Sequence, residues 1–344
     1  MNNLLEKNYS FYVAGHNGMV GKSIVKELLK QGYCNKNSGG KLLTRTRKEL
    51  DLTCYQDVFS WFKINKPDVV IIAAAKVGGI LANHKYPFDF ISENIKIQQN
   101  IIESAWLNKT KRLLFLGSSC IYPKYPNLPI TEEELLKSEL EKTNESYAIA
   151  KIAGIKLCEA IRKQHGFDAI CLMPTNLYGL GDNFSEENSH VIPSLLKKFV
   201  LAKKHNNNLV RCWGTGSPMR DFLHVDDLAS ACVHVLEKWS PEDNNAPRKK
   251  NGEKLFFLNV GSGKEITIKE LAELIAKLTN FNGDILWDTS KPDGTFRKKL
   301  NSSRIRLLGW EPKINLESGL SNLIEEIKII LEKDNNKNNI LKNF

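Results

Sequence analysis

Two stretches of this chain hold residue types that could move a proton. "NESYAIAKIAG" (144–154) carries Tyr147 and Lys151. At helical spacing a YxxxK pair stands on one face, one turn apart. An ammonium beside a phenol favours the phenolate, so the tyrosine is expected to exchange its proton near neutral pH. "LGSSCIYP" (116–123) follows the apolar run "RLLFL" with Ser118, Ser119 and Cys120. A hydroxyl there, from Ser118 or Ser119, could hold a substrate oxygen within reach of the phenol. Read alone, Cys120 is a buried thiol ending a strand, because free cysteine packs as a small hydrophobe.

A third stretch reads as a phosphate cradle. "VAGHNGMVGKSIVKELL" (13–29) spaces Gly15, Gly18 and Gly21 as GxxGxxG between an apolar run and a helical pattern. Glycine permits the tight turn and lets the backbone approach a diphosphate, while the helix N-terminus offers unpaired N–H groups. A dinucleotide's ribose 2′-hydroxyl is met by a carboxylate some 20 residues on, a 2′-phosphate by arginine. The corresponding stretch, "LLTRTRKELDL", presents Arg45 and Arg47 ahead of Glu49. NADP(H) is the expected cofactor.

These groups need a scaffold that brings strand ends and helix starts together. Apolar runs at 11–15, 41–43, 68–75, 112–117 and 168–174 alternate with amphipathic stretches near 19–31, 55–65, 88–108 and 147–165. That alternation predicts an α/β fold with a doubly wound parallel sheet of Rossmann type. After about residue 175 the pattern loosens. Shorter strands at 208–214 and 254–261 mix with helical patterns near 192–204, 226–238, 267–279 and 317–332. The expected domains are a cofactor domain over 8–175, to which later segments can return, and a smaller mixed α/β substrate domain over 176–332. A flexible tail is expected over 333–344.

Composition narrows the class. The chain has 344 residues, 42% of them hydrophobic and 26% charged, as in ordinary globular proteins. The net charge of +10 is dispersed and lacks an interleaved aromatic motif, so it reads as solvated surface with attraction for small anions rather than a nucleic-acid footprint. No apolar run is long enough to span a bilayer, and the first ten residues do not read as a secretory signal. Seven scattered cysteines without a CxxC pair fit a reducing compartment, and a cytoplasmic location is expected. His84, Asp226 and Asp227 show no ligand spacing, so no metal is expected. His224 reads as a structural residue ahead of the helix near 226–238.

The glycine loop, the strand-end serine and the YxxxK pair resemble the extended short-chain dehydrogenase/reductase family. Further motifs narrow the resemblance to the GDP-L-fucose synthase family: "AAAKVGGI" (73–80), "GSSCIYPK" (117–124), "ESYAIAKIAGIKLCE" (145–159), "MPTNLYG" (173–179), "NSHVIP" (188–193), "MRDFLHVDDLA" (219–229) and "KPDGTFRK" (291–298). The resemblance implies conversion of GDP-4-keto-6-deoxy-D-mannose to GDP-L-fucose, by epimerisation at C3 and C5 and NADPH-dependent reduction at C4. It makes Tyr147 the proton donor to the C4 oxygen, Lys151 its electrostatic partner and Ser118 a hydrogen bond to that oxygen. It makes Cys120 and His190 the acid/base pair of epimerisation.

The resemblance also implies cofactor contacts from Gly15, His16, Asn17, Gly18, Met19, Val20, Gly21, Arg47, Ala74, Lys151, Pro174, Asn176, Leu177 and His190. Lys198, Trp213, Arg220 and Asp293 match positions that hold the GDP-sugar, and a homodimer is implied. Two positions depart from the pattern. Asn17 stands where bacterial relatives commonly have arginine, which shifts the 2′-phosphate contact to Arg47, and Lys198 stands where arginine is frequent. The alternative is another nucleotide-sugar epimerase on the same scaffold; a C4 epimerase would recycle its cofactor, whereas the reductase consumes NADPH. A dehydratase would need an Asp-Glu pair where this chain has Ser-Ser-Cys. A regulatory NADP sensor has no use for an intact Tyr147–Lys151 pair.

Overall fold

A computed structural model describes residues 3–185, 189–291 and 293–334. Asn188 of "NSHVIP", Pro292 of "KPDGTFRK" and the expected tail from residue 335 on lie outside them. The first strand, β1 (Ser10–Ala14), sets the architecture. Phe11 and Val13 enter one core while Tyr12 and Ala14 enter another. A strand apolar on both faces must lie inside a sheet covered on both sides.

The chain continues through α1 (Met19–Lys30), β2 (Lys41–Leu43), α2 (Tyr55–Asn65), β3 (Val69–Ile72), α3 (Ile80–Lys85), α4 (Pro87–Leu107), β4 (Arg112–Leu116), α5 (Glu145–His165) and β5 (Ala169–Pro174). Then follow β6 (Asn176–Tyr178), α6 (Val191–Lys204), β7 (Leu209–Trp213), β8 (Met219–His224), α7 (Val225–Lys238) and β9 (Phe257–Val260). Last come β10 (Glu265–Thr267), α8 (Ile268–Leu278), β11 (Asp284–Asp288), β12 (Arg297–Lys298), α9 (Ser303–Leu307) and α10 (Leu316–Asp334). Among the described residues no helix is long and apolar enough to cross a membrane.

Six parallel strands form the main sheet in the order β2-β1-β3-β4-β5-β9. Ile24 and Leu28 of α1 and Leu228, Cys232 and Val235 of α7 cover one face. Val58 and Phe62 of α2, Ile101 and Ala105 of α4 and Ile155 and Cys158 of α5 cover the other. The chain moves outward from β1 to β2 and then crosses back to β3. The loops leaving β1 and β3 therefore diverge, and the crevice between them is where such sheets take nucleotides.

A second group of strands centres on β8, which pairs with β10 antiparallel and with β6 and β12 parallel. β7 and β11 form a separate parallel pair. The core here joins Leu195 and Phe199 of α6, Leu271 and Ile275 of α8 and Leu320 and Ile324 of α10. β9 leaves this region to become an edge strand of the main sheet, against β5.

Candidate active site

The glycine loop is built so tightly that side chains are excluded at two of its three glycines. Gly15 has φ +84°, a left-handed conformation, and a Cβ there would lie 2.7 Å from the Ala74 amide nitrogen at the end of β3. At Gly21 a Cβ would lie 2.1 Å from the Gly15 carbonyl oxygen. Gly18 donates its N–H to Gly15 (3.0 Å) and accepts from Lys22 (2.9 Å), which starts α1 there. The first-turn amides at Met19, Val20 and Gly21 then have no partner within the helix. His16 adds a buried Nδ1 with no hydrogen-bond partner, and Asn17 is exposed at the rim. Backbone that is stripped of side chains beside unpaired donors fits a diphosphate.

Around the cradle, Glu49 turns back to accept from the Thr46 N–H and hydroxyl (2.7 Å each), which holds its carboxyl below the ordinary range. Arg45 donates to the Thr44 carbonyl (2.7 Å) and lies over the Trp61 ring. Arg47 stays outermost, its side chain 78% exposed and 3.6 Å from Glu93. Ala74, Pro174, Asn176 and Leu177 lie at or just past the C-terminal ends of β3 and β5. The Asn176 amide donates to the Asp221 carbonyl (3.0 Å).

Ser118, Cys120, Tyr147 and Lys151 come together at the ends of β4 and the start of α5. Ser118 accepts from the Cys120 N–H (3.2 Å) and hydrogen-bonds the Tyr147 phenol. Ser119, the other hydroxyl, is buried beneath. Lys151 is buried, with Nζ donating to the Leu116 carbonyl (2.8 Å) and 5.8 Å from the centre of the Tyr147 ring. This corrects the expectation drawn from the YxxxK spacing. Burial pushes the Tyr147 phenol well above its ordinary range, with the nearby Cys120 adding to the rise and Ser118 opposing it. Burial pushes Lys151 down to about 8. Desolvation outweighs an ammonium that is bonded elsewhere, so the phenol keeps its proton.

Cys120 has polar neighbours that local spacing did not reveal. Asn144 Nδ2 lies 3.4 Å from Sγ and Lys298 Nζ 3.7 Å from it. Asn144 sits at the N-cap of α5 yet makes no capping bond, and its Oδ1 is buried without a partner. An asparagine three residues ahead of Tyr147 reads as an ordinary helix cap, which hid its role. Lys298 ends a quoted motif but is far away in sequence. Cys120 and Asp293 also act on Arg220, whose Nη1 donates to the Met219 carbonyl (2.8 Å).

The remaining candidates sit on the second lobe. Lys198 donates to the Arg211 carbonyl (2.8 Å), and Lys198 and Lys291 each lie 5.6 Å from the centre of the half-exposed Trp213 ring. Asp293 accepts from the Thr215 N–H (3.0 Å) and hydroxyl (2.7 Å). A cleft of about 470 Å³ runs beside it, between Tyr125 and Leu128 of one lobe and Gly294 and Phe296 of the other. His190 is exposed at the N-cap of α6. Its electrostatic partner is Asp182, whose carboxyl burial raises and His190 lowers, and whose Oδ2 is buried without a hydrogen bond. His190 thus acts electrostatically on Asp182, while the side-chain neighbours of Cys120, Asn144 and Lys298, form a separate cluster. His224 accepts from the Asp226 N–H (3.2 Å) through Nδ1 and caps α7 from the end of β8.

Residues 11–246 match the model of the NAD dependent epimerase/dehydratase family. The chain is 54% identical over 322 residues to a putative GDP-L-fucose synthase 2 of Arabidopsis thaliana, covering 94% of this chain and 92% of that protein. It is 50% identical over 314 residues to the GDP-L-fucose synthase of Escherichia coli K12, covering 90% and 94% respectively. Among solved structures, a GDP-mannoheptose C4 reductase from Campylobacter jejuni with NADP bound superimposes with a TM-score of 0.81. That protein is 35% identical, with 94% of this chain and 99% of the other covered.

Proposed function

The chain belongs to the NAD dependent epimerase/dehydratase family, and we propose that within it this protein converts GDP-4-keto-6-deoxy-D-mannose to GDP-L-fucose. C3 and C5 are epimerised and C4 is reduced with NADPH. The observation that carries the reading is the junction at β4 and α5, where a hydroxyl, a protonated phenol, a buried amine and a thiol converge. The likeness to two GDP-L-fucose synthases over more than nine-tenths of their length supports it.

In this reading Gly15, His16, Asn17, Gly18, Met19, Val20 and Gly21 receive the diphosphate of NADP(H), Arg47 meets its 2′-phosphate, and Ala74, Pro174, Asn176 and Leu177 flank it. When bound, NADPH supplies the hydride for C4. Tyr147 gives its proton to the C4 oxygen, which Ser118 holds, and Lys151 stabilises the phenolate left behind. Before reduction, the same Tyr147 and Ser118 stabilise the negative charge that builds on that oxygen when a proton leaves C3 or C5. Inversion needs removal from one face and delivery to the other, and Cys120 and His190 take those two roles. Lys198, Trp213, Arg220 and Asp293 hold the GDP-sugar.

Residues 8–175, rejoined by β9, act as the cofactor domain in this reading. Residues 176–332 form mainly the substrate domain, and Lys333 and Asp334, expected to open the tail, instead end α10. A homodimer through α4 and α5 is supported by Phe88 and Ile149, 76% and 42% exposed on those helices. A cytoplasmic location is supported by seven cysteines that are all free thiols. The test is incubation with GDP-4-keto-6-deoxy-D-mannose and NADPH. One NADPH consumed per GDP-L-fucose formed is expected; product without net NADPH oxidation would replace this reading with a cofactor-recycling epimerase.

A further inference from the structure

The Cys120 sulfur receives hydrogen bonds from both lobes: Asn144 Nδ2 from the start of α5 (3.4 Å) and Lys298 Nζ from β12 (3.7 Å). β12 pairs with β8 in a register that sets Lys298 directly opposite Arg220. Two cations facing each other across a strand pair repel, and the arrangement is favourable only when an anion lies between or beside them. Arg220 already feels the charges of Cys120 and Asp293. The Lys298 side chain forms no ion pair among the described residues, and the hydrogen bond it makes there is to Cys120 Sγ. A lysine spent on a single thiol, half-buried beside a second cation, makes no sense as surface charge.

We propose that Lys298 is a positioning residue for Cys120, the counter-ion that holds its sulfur as a proton acceptor for the epimerase half of the reaction. The inference rests on the function proposed above. In the step concerned, the thiolate takes the proton from the sugar carbon. The C–H bond breaks, an S–H bond forms, and the electron pair moves onto the C4 oxygen held by Tyr147 and Ser118. The ammonium faces the sulfur throughout the step. Reduction at C4, which uses no charge on sulfur, is independent of it.

Lys298→Met keeps the alkyl stem and removes the charge; Lys298→Gln keeps a donor without the charge and is read in the same way. Each is incubated beside the wild type with GDP-4-keto-6-deoxy-D-mannose in deuterium oxide. NMR reads deuterium entry at C3 and C5, and NADPH oxidation is followed separately. Exchange at saturating substrate is expected to fall by about 10–100-fold, which is what the loss of one charge-assisted hydrogen bond amounts to. KM is expected to stay near wild type, NADPH to be spent on unepimerised sugar, and Lys298→Arg to recover much of the exchange. Exchange at the wild-type rate overturns the inference. So does a raised KM with normal exchange at saturation, which makes Lys298 a substrate-binding residue, or an equal loss of exchange and reduction, which makes it structural. A wild type that neither exchanges deuterium nor oxidises NADPH removes the proposed function itself, and this inference with it.

Discussion

Alanine at Gly18 and alanine at Gly21 are expected to separate cofactor binding from folding, although the two glycines are three residues apart in one loop. At Gly18 the backbone is extended (φ −77°, ψ 165°), which any residue adopts, and a Cβ would meet the Gly15 oxygen at 3.5 Å, an ordinary contact. Replacing a glycine N-cap by alanine costs less than about 1 kcal/mol, so the fold should survive. The new methyl would nevertheless stand among the first-turn amides, where the diphosphate must touch backbone. A tenfold or greater loss of NADPH affinity, about 1.4 kcal/mol, is expected. At Gly21 the Cβ would lie 2.1 Å from the Gly15 oxygen and 2.7 Å from the His16 Cα, both of them backbone atoms. Relief requires α1 to move by more than an ångström away from β1. Overpacking of that kind costs about 1–3 kcal/mol or more, so stability and affinity should fall together. NADPH fluorescence titration and thermal unfolding of both variants measure the two effects. A Gly18→Ala protein that binds NADPH as tightly as wild type would refute this placement of the diphosphate.

The pH dependence follows from Lys151, whose burial brings it down to about 8. Its ammonium is present below that pH and lost as pH rises through it, so kcat/KM for reduction should fall above about 8, and Lys151→Arg should remove that limb of the profile. Arg47→Ala should weaken NADPH by about 1.5–3 kcal/mol and leave NADH almost unchanged; equal losses, read by titration, would exclude Arg47 from the 2′-phosphate. Tyr147→Phe should slow NADPH oxidation by about 10²-fold or more with little change in cofactor affinity, and a near wild-type rate would take the phenol out of the reaction. Cys120→Ser should lose solvent deuterium exchange at C3 and C5 while still spending NADPH on unepimerised sugar, as product NMR will report.

The main sheet was legible because its signals are local. Phe11 to Ala14 are apolar at every position, and the amphipathic pattern over 55–65 coincides with α2. β6, β10, β11 and β12 were not legible, because each is two to five residues long and partly exposed, too short for a period to register. The catalytic candidates show the same division. Tyr147 and Lys151 declare themselves by helical spacing, but the Leu116 carbonyl that takes up the lysine lies 35 residues away. Lys298 meets Cys120 across 178 residues, a separation no motif encodes. The sign of the Tyr147 shift was lost for a related reason: spacing reports a neighbouring charge, whereas desolvation depends on everything packed around it.

The return of β9 to the main sheet has a consequence for the protein's synthesis. β5 is buried along all six of its residues, and its outer neighbour is Phe257–Val260. At translation rates of about 5–20 residues per second, the 86 residues between Pro174 and Val260 take on the order of 4–17 s to appear. For that interval the nascent chain holds an apolar strand with an open ladder of backbone donors and acceptors, the kind of edge that recruits other chains. The vulnerable moment in the life of this molecule therefore comes midway through its translation, when a half-built sheet waits for a strand still inside the ribosome.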